Sequence, residues 1–156
     1  PSFLNFGLDA EKFNRYTFYR SILENTALVT KGHMELVQAS TGTTPNAVIF
    51  AGGASKSPLW CQILADVLNI DVKVPIVKEA TALGAAILAG DGVGIYSDIA
   101  KAAKACVKWD KIYSPNPKNH AVYQEMYPIW RKTYEEQLHL CDEKLLKYMW
   151  IAPGLS

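Results

Sequence analysis

The stretch from Asn46 to Gly90 allows few folds. Ala47-Val48-Ile49-Phe50-Ala51 is a continuous apolar run, bounded by Asn46 before it and Gly52-Gly53 after it. Such a run predicts a short strand buried on both faces. Ser57-Pro58 follows as a helix start, with serine in the capping position and proline at the first helical position, where a missing N–H does no harm. Leu59, Trp60, Ile63, Leu64, Val67 and Leu68 then recur at core spacing. Asp71-Val72-Lys73-Val74-Pro75 reads as a second strand, and Glu79 to Ala89 as a compact Ala-rich helix stopped by Gly90. Strand, glycine turn, helix, strand, helix argues for an α/β protein with a parallel sheet.

The flanks read as helices. Tyr16, Tyr19, Leu23, Ala27, Thr30, Met34 and Val37 recur every three or four residues, so they share one face of a long helix. Asp9 is its expected N-cap, and Thr41-Gly42-Thr43-Thr44-Pro45-Asn46 its end. Past the Gly90–Gly94 loop, a short helix is expected from Ser97 to Val107. Lys111 to Pro117 reads as extended chain, because prolines remove donors and bias their predecessors away from helix. The last helix is expected from Asn119, with Tyr123, Met126, Tyr127, Trp130, Tyr134, Leu138 and Cys141 as its core face. A further strand candidate lies at Phe3 to Phe6, and the apolar tail Met149 to Leu155 calls for a surface to lie against.

Composition narrows the classes. The chain has 156 residues, is 49% hydrophobic and 20% charged, and sets 16 Lys+Arg against 15 Asp+Glu for a net charge of +1. These values exclude a disordered tail, a collagen-like chain and a disulfide scaffold, and give no reason to expect nucleic acid or an anionic membrane as partner. Cys61, Cys106 and Cys141 are odd in number and far apart, which fits reduced thiols in a cytoplasmic protein better than zinc or disulfides. The longest weakly polar run, Ala82 to Gly90, is shorter than a membrane span. Pro1 stands where an initiator methionine would and runs at once into Phe3-Leu4-Asn5-Phe6, so the chain reads as a piece of something longer.

Chemistry concentrates at Ala51-Gly52-Gly53-Ala54-Ser55-Lys56-Ser57-Pro58. Small residues between a buried strand and a helix N-terminus let a ligand approach the backbone, and the first-turn amides favour an anion or a polar nucleotide edge. The bland alternative, a tight turn that needs glycine only for its geometry, stands beside it. A P-loop is excluded because Ser55, not glycine, precedes Lys56-Ser57. Gly90-x-Gly92-x-Gly94 follows a helix instead of a strand, so it is a helix stop and not a dinucleotide fingerprint. Glu79 to Ala86 is a second candidate. A Glu at a helix start and an Ala/Gly face ordinarily mean dipole stabilisation and close helix packing; the functional version is that the small face lets this helix reach the turn. His33, His120 and His139 have no sequence-local partner at ligand spacing, and Lys101, Lys104, Lys108 and Lys111 read as a helical basic stripe on a solvated face. No catalytic group stands out.

Ala51 to Leu68 closely resembles the adenosine motif of the FGGY carbohydrate kinases. Val77-Lys78-Glu79-Ala80-Thr81-Ala82-Leu83-Gly84-Ala85-Ala86 is similar to the segment that follows that motif in the family. Tyr19-Arg20-Ser21-Ile22-Leu23-Glu24-Asn25 resembles the family's Arg-Ala-x-x-Glu-Gly helix, with Ser21 and Asn25 departing from the usual Ala and Gly. Ile76 to Thr81 and the tail Met149 to Leu155 are similar to one branch, whose acceptor is a linear quorum-sensing signal. The resemblance implies an actin-like ATPase fold of two RNase-H-like domains, with residues 1–156 as the C-terminal portion of the second and an N-terminal kinase domain as partner. It implies phosphoryl transfer from ATP, with Mg²⁺, to a small sugar-like substrate; a xylulose or polyol kinase and a non-catalytic binding module are the alternatives. Carried over by position, Gly52, Gly53 and Ala54 would lie against adenosine, Ser57 would give a polar contact, and Lys56 is a weaker candidate. The family's catalytic aspartate falls N-terminal to anything in this sequence, so no catalytic residue is expected here and the chain alone is expected to be inactive.

Overall fold

The computed structural model describes residues 7–147. In order the elements are α1 (Arg15–Thr41), β1 (Ala47–Ile49), a 3₁₀ turn (Gly53–Lys56), α2 (Pro58–Leu68), β2 (Asp71–Pro75), α3 (Ala80–Gly92), α4 (Ile99–Cys106), β3 (Trp109–Tyr113) and α5 (Pro117–Asp142). The sheet order is β1-β2-β3, with β1 and β2 parallel and β2 and β3 antiparallel. The α/β class and the long helices are as read from the sequence. The sheet, however, is mixed: the run expected only as extended chain near Lys111 pairs with β2, Val72 opposite Tyr113 and Lys73 opposite Ile112. The strand candidate at Phe3 to Phe6 and the tail from Met149 lie outside the described residues.

α2 occupies the centre. It packs on the sheet and against both α1 and α5, which also touch each other through Tyr123, Tyr127 and Trp130. Leu23, Ala27 and Leu28 of α1, Ile63, Leu64, Ala65 and Val67 of α2, Val72 of β2 and Tyr123 of α5 form one buried cluster. Each large apolar side chain removed from water there contributes about 1.5–3 kcal/mol. Leu59, expected in the core, is 42% exposed. Asp66, also on α2, is buried within this apolar surface yet fully satisfied. Its carboxylate accepts from Gln62 Nε2 at 2.8 Å, the Asn116 amide at 2.7 Å and Asn119 Nδ2 at 2.8 Å. Two of these donors belong to the start of α5, so the carboxylate pins that helix to α2. A buried charge is tolerated on such terms.

Several expected boundaries and faces shift. Asn14, not Asp9, caps α1, accepting from the Tyr16 and Thr17 amides; Asp9 heads a separate turn closed by the Phe13 amide at 2.8 Å. At the other end Gly42 adopts φ 68° and its amide returns to Gln38 O, the left-handed ending glycine permits. Of the expected apolar stripe on α1, Tyr16, Tyr19 and Val37 are exposed, because only the middle of this long helix lies over α2. On α5 the same holds: Tyr123 is buried, whereas Met126, Tyr134 and Leu138 are exposed. The basic stripe is not helical throughout, since α4 ends at Cys106 and Lys111 lies on β3.

β1 is not buried on both faces. Val48, Val72 and Tyr113 share the face turned to α2, while Ile49, Lys73 and Ile112 share the other. On that second face Ile49 is 65% and Ile112 46% exposed. Gly90 does not stop α3 either; it is buried inside the helix, which runs on to Gly92. A Cβ at Gly90 would lie 2.6 Å from the Tyr96 ring, so glycine here makes room for an aromatic side chain and is not a punctuation mark.

Candidate functional site

Because β1 and β2 are parallel neighbours, the chain leaves both at the same end of the sheet. The turn after β1 and the start of α3 after β2 therefore lie side by side, at the strand ends where open α/β sheets bind ligands. The sequence-predicted residues Gly52, Gly53, Ala54, Lys56 and Ser57 all fall on the first of these two segments, and Glu79 to Ala86 on the second.

Gly52 sits at φ 81°, ψ −170°, a conformation essentially closed to side chains. Both its backbone groups are engaged. Its amide donates to Lys78 O at 2.8 Å, and its carbonyl accepts the Ser55 amide at 3.3 Å and Ser55 Oγ at 2.7 Å. Ser55 is buried, and its own carbonyl accepts the Cys61 thiol at 3.4 Å. Burial pushes the Cys61 thiol up from its ordinary pKa, which keeps the proton that makes this bond. The turn is thus braced from below by side chains and left open above. A Cβ placed at Gly52, Gly53 or Gly84 of α3 would meet nothing within 4 Å, so at these three positions the backbone itself is the surface a ligand would touch.

Ser57 caps α2 through Oγ, which accepts the Trp60 amide at 3.3 Å, and Pro58 occupies the first helical position, both as expected. The Ser57 O–H remains a donor, and Lys56 beside it is exposed. The start of a helix, a nearby cation and bare glycine backbone together suit a polar or anionic ligand with a flat part. Glu79 makes no side-chain cap to α3.

Sequence reasoning missed Lys78. Its ammonium donates to Pro75 O at 2.6 Å and to Asp110 Oδ2 of β3 at 2.6 Å, while its carbonyl holds the Gly52 amide. Asp110 lies 32 residues away, so no local pattern could have shown the pair. Arg20 and Glu24 of α1 do come together: Arg20 Nε meets Glu24 Oε1 at 2.7 Å, and Tyr123 OH donates to the same oxygen at 2.9 Å. They join α1 to α5 away from the turn. His33 and His139 are exposed, and His120 lies within 2.8 Å of Asp66 O. Among the described residues no group of three or more His, Cys, Asp or Glu is placed to hold a metal ion, and no helix is long and apolar enough to cross a membrane.

Comparison with known proteins adds to this geometry. The chain is 46% identical over 155 residues to an autoinducer-2 kinase of Salmonella paratyphi B and 45% identical over 156 residues to one of Klebsiella pneumoniae. These alignments cover 99% and 100% of this chain but only 29% of each relative. A xylulose kinase from Rhodospirillum rubrum superposes with a TM-score of 0.71 at 27% identity, over 88% of this chain and 27% of that one. A gluconate kinase from Lactobacillus acidophilus superposes with a TM-score of 0.73 at 23% identity, over 86% of this chain and 26% of its own, and shares the fold. The FGGY family of carbohydrate kinases, C-terminal domain, matches residues 3–91, which takes in α1, β1, the glycine turn, α2, β2 and nearly all of α3. With more than half of its length inside that match, the chain belongs to the FGGY family of carbohydrate kinases.

Proposed function

We propose that this chain supplies the nucleotide side of the cleft in a kinase that transfers the γ-phosphoryl group of ATP to a hydroxyl of autoinducer-2. It does so as the C-terminal portion of the second of two domains, with residues 1–156 facing an N-terminal kinase domain across the substrates. The observation that carries the reading is the braced Gly52-Gly53 turn, open above, at the head of α2. It is supported by the 46% identity to the Salmonella autoinducer-2 kinase.

In this reading Gly52, Gly53 and Ala54 lie against adenosine, the Ser57 O–H donates to a polar edge of the nucleotide, and Lys56 adds charge at the rim. The open space above Gly52 and Gly53 fits a flat group seated on bare backbone. ATP, when bound, supplies the phosphoryl group; the residues here bind and orient it. No residue is assigned to Mg²⁺, and no step is derived through it. No residue of this chain is assigned a catalytic role; the aspartate that acts as base belongs to the part of the kinase that precedes it. ATP as donor places the work in the cytoplasm, and the near-neutral charge supports neither a nucleic acid nor a membrane partner.

A substrate panel on the full-length kinase tests the acceptor. Phosphorylation of autoinducer-2 is expected, whereas phosphorylation of xylulose alone would favour the second reading, a pentulose or polyol kinase, for which the likeness to the xylulose kinase speaks. The nucleotide side is tested on this chain by calorimetry with ADP. Gly53→Val puts a branched side chain into the open space and is expected to abolish binding; equal affinity of the two proteins would sink the site. The chain alone is expected to turn over no ATP.

A further inference from the structure

We propose that Lys78 is a positioning residue for the glycine turn, acting through its own carbonyl on Gly52; this rests on the nucleotide reading of that turn. The geometry is that of a tie between three strand ends. The Lys78 ammonium is drawn down beside β2 and β3 by Pro75 O and Asp110 Oδ2, each at 2.6 Å. Its side chain is only 18% exposed, so the flexible lysine stem is held in one place. The carbonyl of the same residue accepts two amides, Gly52 at 2.8 Å and Ala80 at 3.0 Å. One of these fixes the turn after β1, and the other belongs to the first residue of α3.

Gly52 has the conformation with most freedom to lose, and a glycine at φ 81° has no side chain to hold it there. Its orientation is set by what its amide and carbonyl bind. The carbonyl is held locally, by Ser55, whereas the amide is held only through Lys78. The ion pair with Asp110 therefore reaches the candidate site without touching a ligand. Asp110 is itself 58% exposed. The shielded ammonium and the 2.6 Å separation nevertheless make these charge-assisted bonds stronger than the pair of Lys101 and Asp98 at the start of α4, 3.7 Å apart and with the lysine 85% exposed.

Lys78→Met removes the ammonium and keeps the stem, Lys78→Arg keeps the charge, and Asp110→Asn keeps the lysine in case the first variant fails to fold. Two readouts are taken on each: ADP affinity by calorimetry, and hydrogen exchange at the Gly52 amide by NMR. Lys78→Met and Asp110→Asn are expected to weaken ADP binding about tenfold, the order expected when one charge-assisted bond is lost. They are also expected to speed exchange at Gly52 while leaving the amides of α1 as in the wild type. Lys78→Arg is expected to restore most of both, and Lys101→Met to change neither. Wild-type ADP affinity in Lys78→Met and Asp110→Asn would overturn the proposal, as would unchanged exchange at Gly52. If the wild type itself binds no ADP, the nucleotide reading falls, and the exchange experiment still decides whether Lys78 holds the turn.

Discussion

At the scale of single residues, what distinguishes this chain is how its buried polar groups are satisfied. Tyr123 and Tyr127 of α5 each donate to a carboxylate of α1, Glu24 at 2.9 Å and Glu35 at 2.6 Å. Burial, and then the neighbouring carboxylates, push both phenols up to about 12 from the usual 10. A raised folded-state value means the neutral phenol is the form that the fold favours. Their contribution is complete below the unfolded value of 10 and is lost as the pH climbs towards 12. Thermal midpoints are therefore expected to fall over that window, and less steeply in Tyr123→Phe and Tyr127→Phe; identical slopes in all three proteins would count against the pairing. Asp66 shows what a sequence holds at this scale and how it is overlooked. An acidic residue between Ile63, Leu64 and Val67, on the core face of α2, was visible as an anomaly, but its partners Asn116 and Asn119 are fifty residues on. Chemistry between distant residues leaves no local period to read.

At the scale of elements, α2 and β2 were legible almost to the residue, since the signals that define them are local: Ser57 and Pro58 at the start, Asn69 in the left-handed conformation at the end, and β-branched residues bounded by a proline. β3 was not, because the prolines at 115 and 117 dominated the reading of that segment, and pairing with β2 is a non-local event. Gly90 is the instructive error. In an Ala-rich helix a glycine reads as a stop, yet here the Tyr96 ring takes the place of its side chain. Gly90→Ala is expected to destabilise the fold by about 1–3 kcal/mol through overpacking, against a gain of about 1 kcal/mol in helix propensity. In a Tyr96→Ala background the same change is expected to stabilise. Thermal denaturation of the four proteins in the cycle checks this, and an additive cycle would remove the explanation.

At the scale of the whole molecule, the described residues cover one face of the sheet and leave the other open. α2 covers the first, while Ile49, Ile112 and Trp109 leave exposed apolar surface on or beside the second. Among the described residues the outer edge of β1, which adjoins it, is unpaired. Such surface is adhesive, and the chain spans 29% of the length of the curated relatives it matches. In isolation it is expected to self-associate as concentration rises, and the Ile49→Lys, Ile112→Lys double variant to remain monomeric. Sedimentation velocity decides, and a wild type that stays monomeric at every concentration would contradict it. The sequence run around β1 read as buried on both faces for a sound reason, as apolar composition alone does not say whether the second cover belongs to the same stretch of chain. The glycine turn at the end of that strand has one more consequence. Gly52 has its amide bound to Lys78 and its carbonyl to Ser55, so it offers a ligand a shape and no hydrogen bond. In the proposed nucleotide reading a ring would therefore be admitted there for being flat, and telling one ring from another would be left to groups elsewhere around it.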